Sequence, residues 1–463
     1  MEKQHEAHCK VYRRRWYILF VYSFAGLLQG YIWNMWGPIY DSMQLLDGWD
    51  KSQLALMPLY GTSTFILFVL PAAWLHERVG LRRSVLLMTA FLLASCLLRS
   101  IPSGRETRTV LINVAAILNG IPGAVTFFLP AVISARWFPL PERKLATALG
   151  ALLNSLGVAI AFLLGPLLIS EPRPGLSRTV VEKELQHYNW ALAGISAALF
   201  LLVLLYYPDK PPLPPSSSAE VRRREFGGGL LELLRSWRFW LLCTPMTLVF
   251  GAFSSWLPVL SLDFQDTESK AIDQDKAAMI GFWSSLIGMS VGIGFGALGD
   301  RFGNLKAILI AIIVLAIESS LWIVLVAHQY IVFSVSQVYI ACTLLNSAAS
   351  AVLPINMELA VECMYPVDEA LVVGLQGMVA NFFNCVFLIV LFFPSTGHAW
   401  IDYVLLAACI TALPLALLIK AEYNRAAVDL ETSEKSSTAT LPSQDNDNFF
   451  FQDADTDEMS GSD

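Results

Sequence analysis

The chain has 463 residues, 55% of them hydrophobic and only 15% charged, with a mean hydropathy of +0.55. Soluble domains carry about 25% charged residues, so a soluble globular protein is excluded and an integral membrane protein is indicated. The formal net charge is −7, no nucleic-acid partner is expected, and seven scattered cysteines outline no disulfide framework.

Residues 1–15 form an N-terminal tail that ends in Lys10, Arg13, Arg14 and Arg15. Twelve apolar runs of about 20 residues follow, each long enough to cross a bilayer. They lie near 16–39, 53–75, 84–101, 109–135, 146–169, 189–207, 239–262, 277–298, 307–327, 330–355, 370–393 and 399–420. The expected fold class is therefore an all-α membrane protein with twelve transmembrane helices. Arg78, Arg82, Arg83, Arg136, Arg143, Lys144, Arg222, Arg223, Arg224, Arg301 and Lys306 fall in alternate loops, which places both termini in the cytoplasm. The opposite loops are acidic, with Asp41, Asp47, Asp50, Asp263, Asp266, Glu268, Asp273 and Asp275.

The first span carries an unusual stretch, Gln29 to Pro38. Gln29, Trp33 and Trp36 are spaced i, i+4 and i+7 and so share one helix face. An interfacial aromatic belt would account for Trp36. Gln29 and Trp33, deeper in the span, fit a wall of a cavity better, because polar groups in lipid usually face a bundle interior.

Residues 208–238 hold Pro211, Pro212, Pro214 and Pro215, three serines, an Arg triplet and three glycines, and read as a cytoplasmic linker. It divides a six-helix half at 16–207 from another at 239–420, and an acidic tail at 421–463 reads as disordered. The halves repeat. Glu77-Arg78-Val79-Gly80 matches Asp300-Arg301-Phe302-Gly303, Trp36 and Pro38 match Trp256 and Pro258, and Asn154 matches Asn381. Both halves start on the same side after six spans, so the repeat is parallel.

Gly296 through Gly303 combines small residues for close helix approach with Asp300 and Arg301, which can cap or pair. The stretch resembles the G-x-x-x-D-R-x-G-R loop of the major facilitator superfamily, with Asn304 at its last place; the first copy departs further, at Ala73, Glu77 and Leu81. Arg136-Trp137-Phe138-Pro139 with Glu142 and Arg143, and Glu358 to Pro366 with Glu369, are similar to signatures of solute carrier family 49, the feline leukaemia virus subgroup C receptor group. The text from Trp33 to Ile39 resembles the disrupted in renal carcinoma protein branch. The resemblance spans about 12–420 and implies a carrier of small organic metabolites. For the group these are choline-like amines and haem; for the branch, vitamin B6 vitamers such as pyridoxine, with proton coupling and a lysosomal membrane in preference to the plasma membrane.

In such an architecture the path runs between spans 1, 4, 7 and 10, flanked by 2, 5, 8 and 11. No Lys, Arg, Asp or Glu occupies the middle of those eight, so a neutral or cationic solute is expected, met by amides and indoles. The expected substrate contacts are Gln29, Trp33, Asn34, Asn154, Ser155, Trp256, Gln376 and Asn381, with Asn119, Trp36 and Trp283 also available. Each amide has an alternative role as an interhelical strut. Ser155 stands where the choline-carrying relatives carry glutamine, which the resemblance ties to substrate choice.

Glu318, mid-span in span 9, is read as a proton carrier or a structural hydrogen-bonding group. Glu358, Glu362 and Glu369 are expected to pair with Arg78, Arg136, Arg143 or Arg301 in a cytoplasmic gate, in preference to a proton relay. His76, His187, His328 and His398 are read as solvated, and no metal-ligand spacing exists. No cofactor and no enzymatic cluster is implied, nor an ATP-binding loop. The leading reading is a monomeric secondary transporter, with protons as coupling ion; a non-transporting receptor or scaffold is the alternative of another class.

Overall fold

The computed structural model describes residues 10–170, 172, 177–216, 225–257, 274–391, 400–428 and 430. Pro258, Arg222 to Arg224, Asp263, Asp266, Glu268, Asp273, His398 and the tail after residue 430 lie outside the described residues, as does the side chain of Asp275.

The helices are α1 (Arg14–Asn34), α2 (Tyr40–Asp47), α3 (Lys51–Arg99), α4 (Arg105–Trp137), α5 (Arg143–Leu168), α6 (Arg178–Leu205), α7 (Phe226–Arg235) and α8 (Trp237–Pro245). After a π turn at Met246–Gly251 come α9 (Ala252–Trp256), α10 (Gln274–Phe302), α11 (Leu305–Ala327), α12 (Val335–Met364), α13 (Glu369–Leu391) and α14 (Ile401–Leu418). Among the described residues ten helices are long and apolar enough to cross a membrane, and α1 joined through a 41° bend to Gly37–Asp47 makes eleven. The twelfth is inside α3. Forty-nine residues of helix would run roughly 74 Å, over twice the hydrocarbon thickness. At Gly80, φ is 82°, a conformation that glycine adopts without a Cβ penalty, and there the chain turns back as a second span. Gly303, at φ 71°, ends α10 in the same way, and Asn304 then caps α11 by accepting from the Ala307 amide at 3.1 Å.

Both ends of the described chain lie at one end of the bundle. Arg15 pairs with Glu142 at 2.8 Å, the Phe226 amide donates to Glu77, and Arg238 pairs with Glu422 at 2.9 Å. We call this the terminal end, and the other the far end. The stretch expected to be a linker contains α7, whose N-terminal amide is capped by Glu77 of the first repeat copy.

Glycines set the closest approaches. A Cβ on Gly157 of α5 would press into the Leu27 carbonyl oxygen of α1, and one on Gly30 of α1 would press into the Asn154 carbonyl oxygen. Between the halves, Gly292, Gly296 and Gly299 of α10 lie against Leu152, Ala148 and Lys144 of α5, while Gly374 and Gly377 of α13 lie against Val69, Phe65 and Phe127. Backbone atoms cannot move aside as a flexible side chain can, so an added methyl group forces the helices apart. Gly157→Val should therefore lower the melting temperature of the purified protein by several degrees, equivalent to roughly 1–3 kcal/mol of overpacking. Gly194→Ala on α6, where nothing lies within 4 Å, should not lower it.

Candidate functional site

The face that carries Gln29 and Trp33 on α1 meets α3 and α4 in a narrow crevice inside the first half. Ile32, Trp33, Trp36, Met57, Gly61 and Asn119 line it, together with Arg99 at the end of α3. Trp33 fits because Gly61 has no side chain; a Cβ there would come within 2.7 Å of the indole. Trp36 is buried and its ring meets Trp49 at 5.4 Å, beside the 41° bend at the far end of α1. Gln29 is buried and bridges three helices: its Nε2 donates to the Asn119 carbonyl oxygen at 3.4 Å, and its Oε1 accepts from Asn154 Nδ2 at 2.7 Å. Asn154 also donates to the Gly26 carbonyl at 2.8 Å. The two amides thus strut α1 to α5, and Trp33 and Asn119 remain on the crevice wall. Asn34 donates to the Gly30 carbonyl one turn back, and Ser155 is half-buried beside Asn154 on α5.

In the second half the polar residues are more fully engaged. Gln376 is completely buried and donates to the Leu242 carbonyl of α8 at 3.2 Å; Asn356 donates to the same oxygen at 2.9 Å. Asn381 is half-buried and donates to the Gly377 carbonyl of its own helix at 2.9 Å. Trp256 is fully buried with its ring 6.3 Å from Phe253, whereas Trp283 is 45% exposed on α10, its ring 5.0 Å from that of Phe282.

At the terminal end the structure assembles an interlock that sequence reasoning saw only in part. Glu358 and Glu362 are buried on α12, yet neither pairs with Arg78, Arg136, Arg143 or Arg301 in the ion pairs of the described residues. Their partner is Arg425, fully buried and beyond the last span. It donates to Glu358 Oε2 at 2.6 Å and to Glu362 Oε1 at 2.9 Å, and the Ala426 amide reaches Glu362 Oε2 at 3.0 Å. The tail expected to be disordered from 421 therefore contributes an ordered segment, because a buried carboxylate pair demands a cation more strongly than a polar tail resists ordering. Burial alone would lower the Arg425 pKa, but Glu358 and Glu362 beside it raise it, so the guanidinium stays charged. Glu358 also crosses to the first half, accepting from Ser134 at 3.0 Å and from Thr147. Nearby, Asp300 reaches the N-terminus of α5. It accepts from the Lys144 and Leu145 amides at 3.1 and 2.8 Å, with the Lys144 ammonium at 3.6 Å. The loop that repeats in both halves is thus an interhalf clamp in its second copy and a cap of α7 in its first.

Other expected gate residues lie apart from this interlock. Arg78 is exposed and stacks on Trp74 at 4.1 Å, and Arg301 lies over Phe302. Arg143 is buried; it donates to Phe138 O at 3.3 Å and to Ser216 at 2.5 Å. Arg136 acts through its field on Asp368 and on His76. His76 is buried and bonded to Ser84 at 2.9 Å, not solvated as expected, and His328 lies 2.9 Å from Asp402. Glu318 is exposed on the outer face of α11 and makes no hydrogen bond or ion pair among the described residues, so the structural hydrogen-bond reading is not met. Its mid-span position was visible in sequence; the direction it faces was not.

Asp368, in the turn before α13, accepts from the Ala370 amide at 2.9 Å. Burial first, and the neighbouring Glu369 second, push its carboxyl up from 3.8 to about 6, against the pull of Arg136.

Two membrane-embedded six-helix halves, clamped together at one end, define a membrane transporter of the Major Facilitator Superfamily, whose family model matches residues 18–388. The fold is shared with the Escherichia coli fucose:proton symporter FucP at a TM-score of 0.69 and 13% identity, covering 88% of this chain and 100% of that one. XylE shares it at 0.67 and 13%, covering 91% and 100%. Within the superfamily the chain belongs to solute carrier family 49. It is 32% identical over 439 residues to the Xenopus tropicalis solute carrier family 49 member 4 homolog, covering 92% of this chain and 95% of that one. It is 24% identical over 462 residues to the Homo sapiens choline/ethanolamine transporter FLVCR2, covering 94% and 84%. Its job is therefore movement of a small solute across a membrane, not catalysis.

Two outcomes follow from the interlock. Arg425→Ala should destabilise the protein by roughly 3–5 kcal/mol, read as a fall in melting temperature, because it leaves two carboxylates buried without a counter-charge. Adding Glu358→Gln and Glu362→Gln should restore part of that loss. Because the folded state holds the Asp368 proton more tightly than the unfolded chain does, stability should fall as pH rises from 3.8 to about 6. Asp368→Asn should flatten the melting-temperature profile in that window.

Proposed function

We propose that this protein is a secondary active transporter of a small, flat, neutral organic solute, that pyridoxine is such a solute, and that protons drive it. In this reading both termini are cytoplasmic, the membrane is lysosomal, and the monomer is the working unit. The observation that carries the choice of solute is the make-up of the crevice. Trp33 offers an aromatic face and Asn119 an amide, while the charge on the wall is the cation Arg99. An indole face and an amide suit a polar aromatic ring. Among the described residues the wall carries no carboxylate to attract a permanently cationic amine.

With Arg99 and no carboxylate on the wall, a neutral solute is favoured over a cationic one. Choline or ethanolamine is the second reading, favoured by the similarity to the choline/ethanolamine transporter FLVCR2. Haem remains the third arm. Alternating access would run through the terminal end: Glu358, Glu362, Arg425 and Asp300 hold it shut here, and opening requires that Glu358 leave Ser134 and Thr147. For protons, Asp368 is a group outside the spans whose carboxyl is already shifted toward neutrality.

The test is uptake into liposomes containing the full chain, with an imposed pH gradient and labelled pyridoxine, choline or haem. Pyridoxine uptake that collapses with the gradient, and falls at least tenfold in Trp33→Ala, is the expected result. Choline uptake without pyridoxine uptake would replace the substrate assignment, and uptake indifferent to the gradient would remove proton coupling.

A further inference from the structure

Four arginines are buried among the described residues, Arg425, Arg108, Arg143 and Arg99, and the first two are compensated by carboxylates. Arg425 sits between Glu358 and Glu362, and Arg108 between Asp47, at 2.5 Å, and Glu182, at 2.6 Å. Arg99 is 3% exposed and has no carboxylate within ion-pairing distance among the described residues. Its guanidinium contacts are two sulfur atoms, Met35 Sδ at 2.9 Å and Cys96 Sγ at 3.0 Å, both weak acceptors. Its Nε–H is buried with no hydrogen-bond partner, and across the same crevice so is Oδ1 of Asn119, which is 4% exposed. The C-terminal position of Arg99 on α3 supplies part of the missing negative charge, since cations are favoured at helix ends, but a partial charge does not match the cost of a buried full one. The guanidinium fork is shaped for a carboxylate, a phosphate or a compact anion.

We propose that the crevice between α1, α3 and α4 also holds an anion beside the neutral solute proposed above: Arg99 binds a small inorganic anion or the ionised oxygen of an organic acid, which compensates its charge and leaves the wall neutral overall. Trp33 forms its wall, and Asn119, whose side-chain amide can present either its oxygen or its NH2, meets a second polar atom of the ligand. Chloride and an organic acid share the chemistry Arg99 recognises, and they differ in whether the aromatic wall matters.

The experiment is a melting curve of the full-length purified protein in methanesulfonate buffer at constant ionic strength, titrated with chloride, phosphate or benzoate. It needs no transported substrate, so its failure leaves the substrate reading standing, and failure of the uptake test leaves this site standing. A saturable rise in melting temperature is expected for at least one of the three. The midpoint should be at least tenfold weaker in Asn119→Ala, little weakened in Arg99→Lys, and the rise should be abolished in Arg99→Gln. In methanesulfonate alone Arg99→Gln should melt no lower than wild type, because it removes an uncompensated charge. Response to chloride or phosphate identifies a free anion, and response to benzoate alone, lost in Trp33→Ala, identifies an organic acid group. No saturable shift with any of the three, or an equal shift in Arg99→Gln, overturns the site. Should Arg99→Gln give no folded protein, Asn119→Ala decides: an unchanged midpoint overturns it.

Discussion

The rest of this structure depends on a buried charge cluster at its terminal end, in which Arg425 neutralises Glu358 and Glu362 while Glu358 reaches Ser134 and Thr147 in the other half. Neither carboxylate could sit on a fully buried helix face without that cation. The cluster adds less net stability than its short contacts suggest, because three charged groups had to leave water. Its importance lies in the penalty for leaving it incomplete, which in the proposed transport cycle would give the halves two states instead of a continuum. The glycine stripe of α10 against α5 and the Asp300 cap on α5 are compatible with one of those states only, because close backbone approach and amide capping both vanish with a small separation.

Polar residues are divided unequally between the halves. In the first, Gln29 and Asn154 satisfy each other and so hold Trp33 and Asn119 at a crevice that also receives Arg99. In the second, Gln376 and Asn356 share one backbone oxygen, and Asn346 is joined to Ser284, Ser285 and Ser350. The repeat is a repeat of helices, and its two copies engage their polar residues differently.

Much of the architecture was legible in the sequence, because span length, charge asymmetry of loops and the recurrence of the Asp300 motif near Glu77 are one-dimensional properties that the bilayer makes informative. The Gly80 and Gly303 turns lie between apolar runs, where the sequence reading already ended its spans. Facing directions were harder. Glu318 is mid-span and Trp283 lies within a flanking span, but a span that is apolar all round gives no clue to which side meets lipid. Gln376 was visible as a polar residue, yet whether an amide binds a solute or a backbone oxygen depends on the neighbouring helix. Arg425 stands in what reads as an acidic tail, and the need of Glu358 and Glu362 for a cation, which the sequence reading assigns to Arg78, Arg136, Arg143 or Arg301, is met by Arg425 instead. Arg99 escaped notice because span 3 is peripheral in this architecture and a basic residue at a span's end is ordinary. Its companions in three dimensions are what set it apart.

The central claim is that the Glu358, Glu362 and Arg425 cluster holds the terminal end shut. Electron–electron spin-label distances between residue 83 and residue 302, both exposed at that end in opposite halves, test it most directly in a cysteine-depleted background. A single short distance in the parent, converted in Arg425→Ala to a longer or two-component distribution, is the predicted result. An unchanged short distance in Arg425→Ala would contradict the account.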